Sequence, residues 1–220
     1  TISLNASHEG QTLGLPVLGM VPEMAGNRYR ANSREEEAFL QLRTRLLMSC
    51  PEGQLKTLLV TSPQPRDGKT VVAANLCATM AASGARVVLV DADLRNPALH
   101  EWFDLPNRGN GLAQWLQADE DSLEDLLPRL VRATDIPGLS LITTGPLPPD
   151  PSFLLSSLRM AAVLDILSEH FDRVVLDSPP VVVAPDAIVL ARLVESTLLV
   201  LNPDHGSRRM ASQAINSLTS

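Results

Sequence analysis

The sequence predicts an α/β fold, a doubly wound and mostly parallel sheet with helices on both faces. Three observations carry that expectation. Five short runs of strand character alternate with helical segments. The central runs are unbroken apolar stretches, as expected of parallel strands buried on both faces. The length of 220 residues suits one large domain, able to bury roughly 70–75% of the unfolded surface without a disulfide or metal staple.

The elements follow in chain order. Residues 1–32 are rich in Gly, Pro and polar side chains around one apolar stretch at 13–21, and read as an extended lead-in arm. Residues 33–220 form the domain proper. Ser33 with Glu36 three residues on is a capping-box signature, and Phe39, Leu42 and Leu46 follow at helical spacing until Pro51. Residues 57–61 are β-rich. A turn with Pro and Gly then leads into a helix over 69–83, stopped by Gly84. Residues 87–90 are a strand, and Asn96-Pro97 reads as the N-cap and first residue of a short helix through Phe103. A strand at 139–143 and a Pro-rich turn precede one helix over 153–170. Strands at 174–176 and 197–201 flank a helix over 185–194, and a last helix starts near Ser207. Such sheets bind ligands at the carboxyl ends of their strands.

Composition narrows the function. With 45% hydrophobic and 20% charged residues and a mean hydropathy of +0.07, the chain reads as soluble and globular. No apolar run reaches the roughly 18 residues of a spanning helix. The net charge of −7, from 18 basic and 25 acidic residues, argues against a nucleic-acid partner. Cys50 and Cys77 are too few and too unpatterned for a disulfide framework or a zinc site, which suggests a reducing, cytosolic setting. The chain opens on Thr1 with no signal-peptide pattern, and reads as a piece of a longer protein. Lys occurs only at Lys56 and Lys69, and Tyr only at Tyr29.

The chemistry gathers at three strand ends. Ser62-Pro63-Gln64-Pro65-Arg66-Asp67-Gly68-Lys69-Thr70 lies between the first strand and its helix. A phosphate-binding loop needs curled backbone N–H groups, a Lys for the β/γ oxygens and a hydroxyl for Mg²⁺, and Gly68, Lys69 and Thr70 supply them at a helix N-terminus. Pro63 stands where GxxxxGK[ST] has its leading glycine. Gly-Lys-Thr alone is also a common surface turn. Here, however, Val88-Leu89-Val90 runs into Asp91-Ala92-Asp93-Leu94-Arg95, and Val174-Val175-Leu176 into Asp177-Ser178-Pro179-Pro180. Each sets carboxylates on the edge where the loop opens, as a polyphosphate with Mg²⁺ requires. Taken singly, each aspartate also fits a helix N-cap.

The trio SPQPRDGKT, VLVDADLR and VVLDSPP resembles the Walker A, Walker A′ and Walker B motifs of the bacterial tyrosine kinases, cytoplasmic P-loop NTPase-type domains of polysaccharide co-polymerases. The likeness extends to Leu13-Gly14-Leu15-Pro16-Val17-Leu18-Gly19, to GPLPPDPS at 145–152 and to Asp186-Ala187, so it runs from about Leu13 to the chain end. It implies ATP/ADP and Mg²⁺ as cofactors, cradled by Pro65, Arg66, Asp67, Gly68, Lys69, Thr70 and Val71. Lys69 would bind the β- and γ-phosphates and Thr70 would coordinate Mg²⁺. Asp91 would take the tyrosine proton or help hold the metal, and Asp93 and Asp177 would order the metal and its waters. Spacing alone leaves open which carboxylate acts as base. The resemblance further implies trans-autophosphorylation in a ring-like homo-oligomer. It also implies an upstream chain-length-determinant membrane domain as activator, and a place on the cytoplasmic face of the inner membrane.

The chain departs from the family pattern in several places. No tyrosine-rich tail lies within the sequence. In the Glu-x-x-Arg-x-x-Arg pattern of the first helix Glu37 and Arg43 match, but Leu40 replaces the middle Arg. Arg66, where many members have a small residue, is expected to point into solvent rather than at the phosphates. Partitioning ATPases of similar fold carry a signature Lys where this chain has Gln64. Two alternatives to a kinase therefore stand open: a nucleotide-switched assembly module of an export complex, and a plain ATPase of the partitioning type. Tyr29 is expected to pack on the domain or lie exposed, and His100 to be a helix-surface residue without catalytic duty. Cys77 reads as a small buried hydrophobe. Glu35, Glu36 and Glu37 read as a charged helix start, with a subunit contact open for Glu37.

Overall fold

The computed structural model describes residues 2–5, 15–24, 26, 28, 32–50, 55–118, 123–204 and 208–219. In chain order the elements are β1 (Ile2–Asn5), α1 (Arg34–Ser49), β2 (Thr57–Thr61), α2 (Lys69–Ala82), β3 (Val87–Asp91), α3 (Leu99–Trp102), α4 (Leu112–Gln117) and α5 (Leu123–Leu130). They continue with β4 (Arg132–Ala133), β5 (Leu139–Ile142), α6 (Pro151–Leu155), α7 (Leu158–His170), β6 (Arg173–Asp177), α8 (Asp186–Ala191), β7 (Ser196–Val200) and α9 (Arg208–Thr219).

The strands form one sheet in the order β1-β7-β2-β6-β3-β5-β4. All pairs are parallel except β4–β5. Alternation along the buried strands divides the core between two faces. Leu58, Val60, Leu89, Val175 and Leu198 meet α1 and α2 on one side, while Leu59, Val88, Val90, Val174 and Leu176 meet Trp115, Met160 and Leu164 on the other. Helix α2 is buried at every position from Val72 to Ala81, and its apolar girth suits a helix sandwiched between sheet and α1. At the head of α1, Ser33 Oγ accepts the Glu36 N–H at 3.2 Å, and Glu36 reaches back to the Asn32 N–H.

Register positions the site. Strand β6 lies between β2 and β3, so that Val60 pairs with Asp177 and Asp177 with Asp91. By the same alternation Asp91 and Asp177 project toward the α2 face, on which Lys69 opens its helix.

Several sequence expectations need correction. The single helix expected over 153–170 is two, α6 and α7, broken at Ser156 and Ser157. Their hydroxyls donate to the Phe153 and Leu154 carbonyls, offering the backbone an alternative to the helical ladder. Helix α6 also starts earlier, because Asp150 caps it by accepting the Phe153 N–H at 3.1 Å. Asn96 does not cap α3: Ala98 stands at the N-cap position and the helix begins only at Leu99, whose N–H donates to Asp91 Oδ2 at 3.1 Å. Four elements have no counterpart among the expected ones. Strand β1 adds the N-terminal stretch to the sheet edge, and α4, α5 and the two-residue β4 lie between Phe103 and β5. Helix α5 carries Pro128 in its interior, a residue that argues against a helix when read alone.

The arm also touches the domain through Arg28, which pairs with Asp135 and lies over the Phe103 ring at 5.2 Å. Tyr29 falls outside the described residues. No described helix is long and apolar enough to cross a membrane.

Candidate active site

The loop joining β2 to α2 is shaped by its own side chains. Ser62 Oγ donates to the Gln64 carbonyl at 2.7 Å, and the Gln64 N–H donates to Asp67 Oδ2 at 3.0 Å. Asp67 is buried and braces the loop from within. Pro63, in the place of a glycine, is buried too, and its carbonyl accepts the Val182 N–H at 3.2 Å. Arg66 at φ +69° and Gly68 at φ +89° turn the chain through the left-handed region, so that α2 starts at Lys69 with its N–H groups facing the opening. Pro65 and Arg66 are exposed at the rim. A Cβ at Gly68 would meet nothing within 4 Å, so Gly68→Ala carries backbone strain alone. It is expected to lower stability by about 1 kcal/mol in a urea titration while weakening nucleotide binding.

Lys69 closes the constellation. Its Nζ lies 3.3 Å from Asp93 Oδ2 and 3.6 Å from Asp177 Oδ1, and Thr70 Oγ1 donates to Asp177 Oδ2 at 2.7 Å. Asp91 stands beside them, accepting the N–H groups of Asp93 and Leu99. Three nearly inaccessible carboxylates thus face one ammonium. Burial would lower the Lys69 pKa, but Asp177, Asp93 and Asp91 outweigh it and raise it above the ordinary value. Burial pushes Asp177 upward, against the pull of Lys69 and Thr70. Burial, reinforced by Asp177, pushes Asp91 up to about 8.

The donors suit a nucleotide-bound cation. Among the described residues no three or more His, Cys, Asp or Glu side chains converge as a ready-made metal cage. Mg²⁺ needs no such cage, since it takes one or two protein oxygens and completes its shell with phosphate and water. Thr70 Oγ1 and Asp177 offer that set, and Asp177 Oδ1 is a buried oxygen without a hydrogen-bond partner among the described residues.

The structure brings Lys69, Thr70, Asp91, Asp93 and Asp177 together. Gly68 and Val71 instead line a cleft of about 620 Å³ beside the loop, walled by Met24 of the arm and by Asn202 and Asp204 beyond β7. No motif in the sequence marks these three residues, although the carboxyl end of β7 shares the edge that carries the other motifs. His100 is part-buried on α3, its Nε2 3.9 Å from Glu101. Cys77 is buried in α2 and its thiol is pushed up by burial, away from reactivity. Arg43 donates to the Thr79 carbonyl at 2.8 Å and so ties α1 to α2 within the chain.

Fold and site together define a nucleotide-binding domain, and residues 58–207 match the family described as CobQ/CobB/MinD/ParA nucleotide binding domain. The tyrosine-protein kinase YwqD of Bacillus subtilis is 33% identical over 186 residues, 84% of this chain and 76% of YwqD. The kinase domain of the Escherichia coli tyrosine kinase ETK superposes with a TM-score of 0.87 at 28% identity, covering 98% of this chain and 89% of that domain. The BceF tyrosine kinase domain does so at 0.82 and 31% identity, covering 95% and 90%. The chain belongs to the bacterial tyrosine-protein kinase family.

Proposed function

We propose that this chain transfers the γ-phosphoryl group of Mg-ATP to tyrosine hydroxyls of protein substrates, including neighbouring copies of itself. The observation that carries this reading is the meeting of Lys69 at the head of α2 with Asp93 and Asp177, with Asp91 alongside. Lys69 binds the β- and γ-phosphates while the N–H groups of the loop cradle them. Thr70 and Asp177 hold Mg²⁺, which when bound offsets the charge on the phosphates. Asp93 keeps Lys69 aimed. The cleft between Met24 and Asn202 receives the nucleoside.

Asp91 is the base in this reading. A carboxylate with its pKa near 8 lies closer to the phenol at about 10 than an ordinary carboxylate does, so proton transfer is better matched. Residues 33–220 carry the catalytic unit, and residues 1–32 lead into it from a membrane chain-length-determinant domain at the cytoplasmic face of the inner membrane. The copies assemble as a ring, and phosphorylation controls exopolysaccharide or capsule polymerisation and export. Glu37 lies on the exposed flank of α1, where it accepts a bond from Gln41 Nε2 at 3.3 Å and serves a ring contact, whereas Arg43 is committed within the chain.

Intact-mass measurement after incubation with Mg-ATP and a tyrosine-rich peptide tests the reading. Mass increments of one phosphate on the peptide, absent with Lys69→Ala, are expected. ATP binding with no transfer would overturn it in favour of a nucleotide-switched assembly module.

A further inference from the structure

A buried carboxylate beside the site has no part in the roles above. Asp186, the first residue of α8, is fully buried, whereas its partner Arg95 keeps 36% of its side chain exposed. Arg95 Nε donates to Asp186 Oδ2 at 2.8 Å and Nη2 to Asp186 Oδ1 at 3.3 Å. Nη2 also donates to Ser152 Oγ at 2.8 Å, and the Ser152 hydroxyl donates to Asp186 Oδ1. Three segments meet there: the turn after β3, the head of α6 beyond β5, and the head of α8 beyond β6.

Arg95 lies two residues past Asp93 on the same turn. Asp93 uses Oδ1 locally, accepting the Arg95 and Asn96 N–H groups at 3.4 and 3.0 Å, and turns Oδ2 toward Lys69. Those local bonds orient the carboxylate within its turn but move with it. The turn itself is anchored at Ala92, whose N–H donates to the Asp177 carbonyl at 2.8 Å, and by Leu94 packed in the core. Beyond Leu94 the anchor is Arg95. A two-pronged guanidinium–carboxylate pair fixes direction as well as distance, which a lysine ammonium does not.

We propose that Arg95 is a positioning residue for phosphoryl transfer, which by docking on Asp186 and Ser152 holds the Asp93 turn so that Asp93 faces Lys69. The inference rests on the reading that Asp93 serves the transfer. Misplacement of a catalytic group by about an ångström costs up to about a hundredfold in rate, so Arg95→Ala and Asp186→Asn are each expected to lower kcat between about tenfold and a hundredfold. Nucleotide affinity changes less than about twofold, since neither residue touches the phosphate loop. Arg95→Lys keeps the charge but loses the fork, and is expected to lose several-fold in kcat with an unchanged melting temperature. The double variant Arg95→Met/Asp186→Leu replaces the buried pair by apolar groups, a change that often preserves or raises stability. It is expected to recover the melting temperature but not kcat.

Asp93→Asn is measured alongside. Full activity there overturns the reading beneath the inference. With Asp93→Asn inactive, wild-type kcat in Arg95→Lys, or recovery of kcat together with stability in the double variant, overturns the positioning role itself. Should the double variant not fold, Arg95→Lys decides.

Discussion

Lys69→Ala is expected to lower phosphoryl transfer by about three orders of magnitude while leaving a folded protein. Catalysis of this kind is positioning and charge stabilisation, in which a single preorganised cation carries about 10³-fold or more. No other lysine can substitute. Lys56, the only other one, precedes β2 at the opposite edge of the sheet, and Arg66 is exposed at the rim. Without the ammonium, Asp93 and Asp177 face one another and the incoming phosphates with no compensating charge, so nucleotide affinity falls as well. Removing one partner of a buried pair can cost about 3–5 kcal/mol. Here the loss lies below that range, because carboxylates whose pKa values are already raised can take up protons. Single-turnover rates and a urea titration on the same variant separate the two effects. A rate within tenfold of the parent would remove Lys69 from the transfer step.

Asp91→Asn is expected to lower kcat by about 10²–10⁴-fold, the range for loss of a positioned general base, and to abolish a pH dependence that the parent displays. With its pKa near 8, the parent's kcat/KM should rise about tenfold per pH unit below that value and level off above it. The same group links pH to stability. Its folded pKa lies above the unfolded value of 3.8, so between those two the folded state holds a proton that the unfolded state has released. Stability therefore falls as pH rises from about 4 to about 8, by up to about 1.4 kcal/mol per unit, and is flat beyond. Asp177, raised in the same direction, adds to that slope. Unfolding midpoints of parent and variant at pH 5, 6, 7 and 8 should diverge, the parent declining more steeply. Parallel lines would mean that Asp91 ionises normally, and a variant that keeps the parent's pH–rate profile would assign the base elsewhere.

Much of the site was legible because its parts are local. A Gly-Lys-Thr at a helix head, and aspartates that end apolar runs, announce a carboxyl-edge phosphate site without reference to any distant residue. The interior strands and α2 were legible for a similar reason: burial on both faces forces continuous apolar runs that the composition of 57–61, 87–90 and 174–176 displays directly. Elements whose signals conflict were not legible. Helix α5 holds together around Pro128 because Leu127 and Leu130 are buried against the sheet, a tertiary gain that outweighs the local penalty. The break between α6 and α7 was hidden, since Ser156 and Ser157 are tolerable in a helix until their hydroxyls choose nearby carbonyls. Asn96 resembles a helix cap in sequence, yet the helix starts three residues on, where the distant Asp91 accepts the Leu99 N–H.

The sequence by itself determined the doubly wound class, the central strands and the five side chains that meet at the phosphate edge, because periodicity and motif spacing are properties of neighbouring residues. Only the tertiary structure decided how those side chains are charged and held. Burial pushes the Asp91 carboxyl up to about 8, reinforced by Asp177, which β6 sets beside it. Arg95 finds Asp186 across 91 positions of chain, and the cleft beside the loop joins the arm to the end of β7. Desolvation and long-range pairing depend on which strands lie side by side, and that order is set by packing of the whole chain rather than by any segment of it.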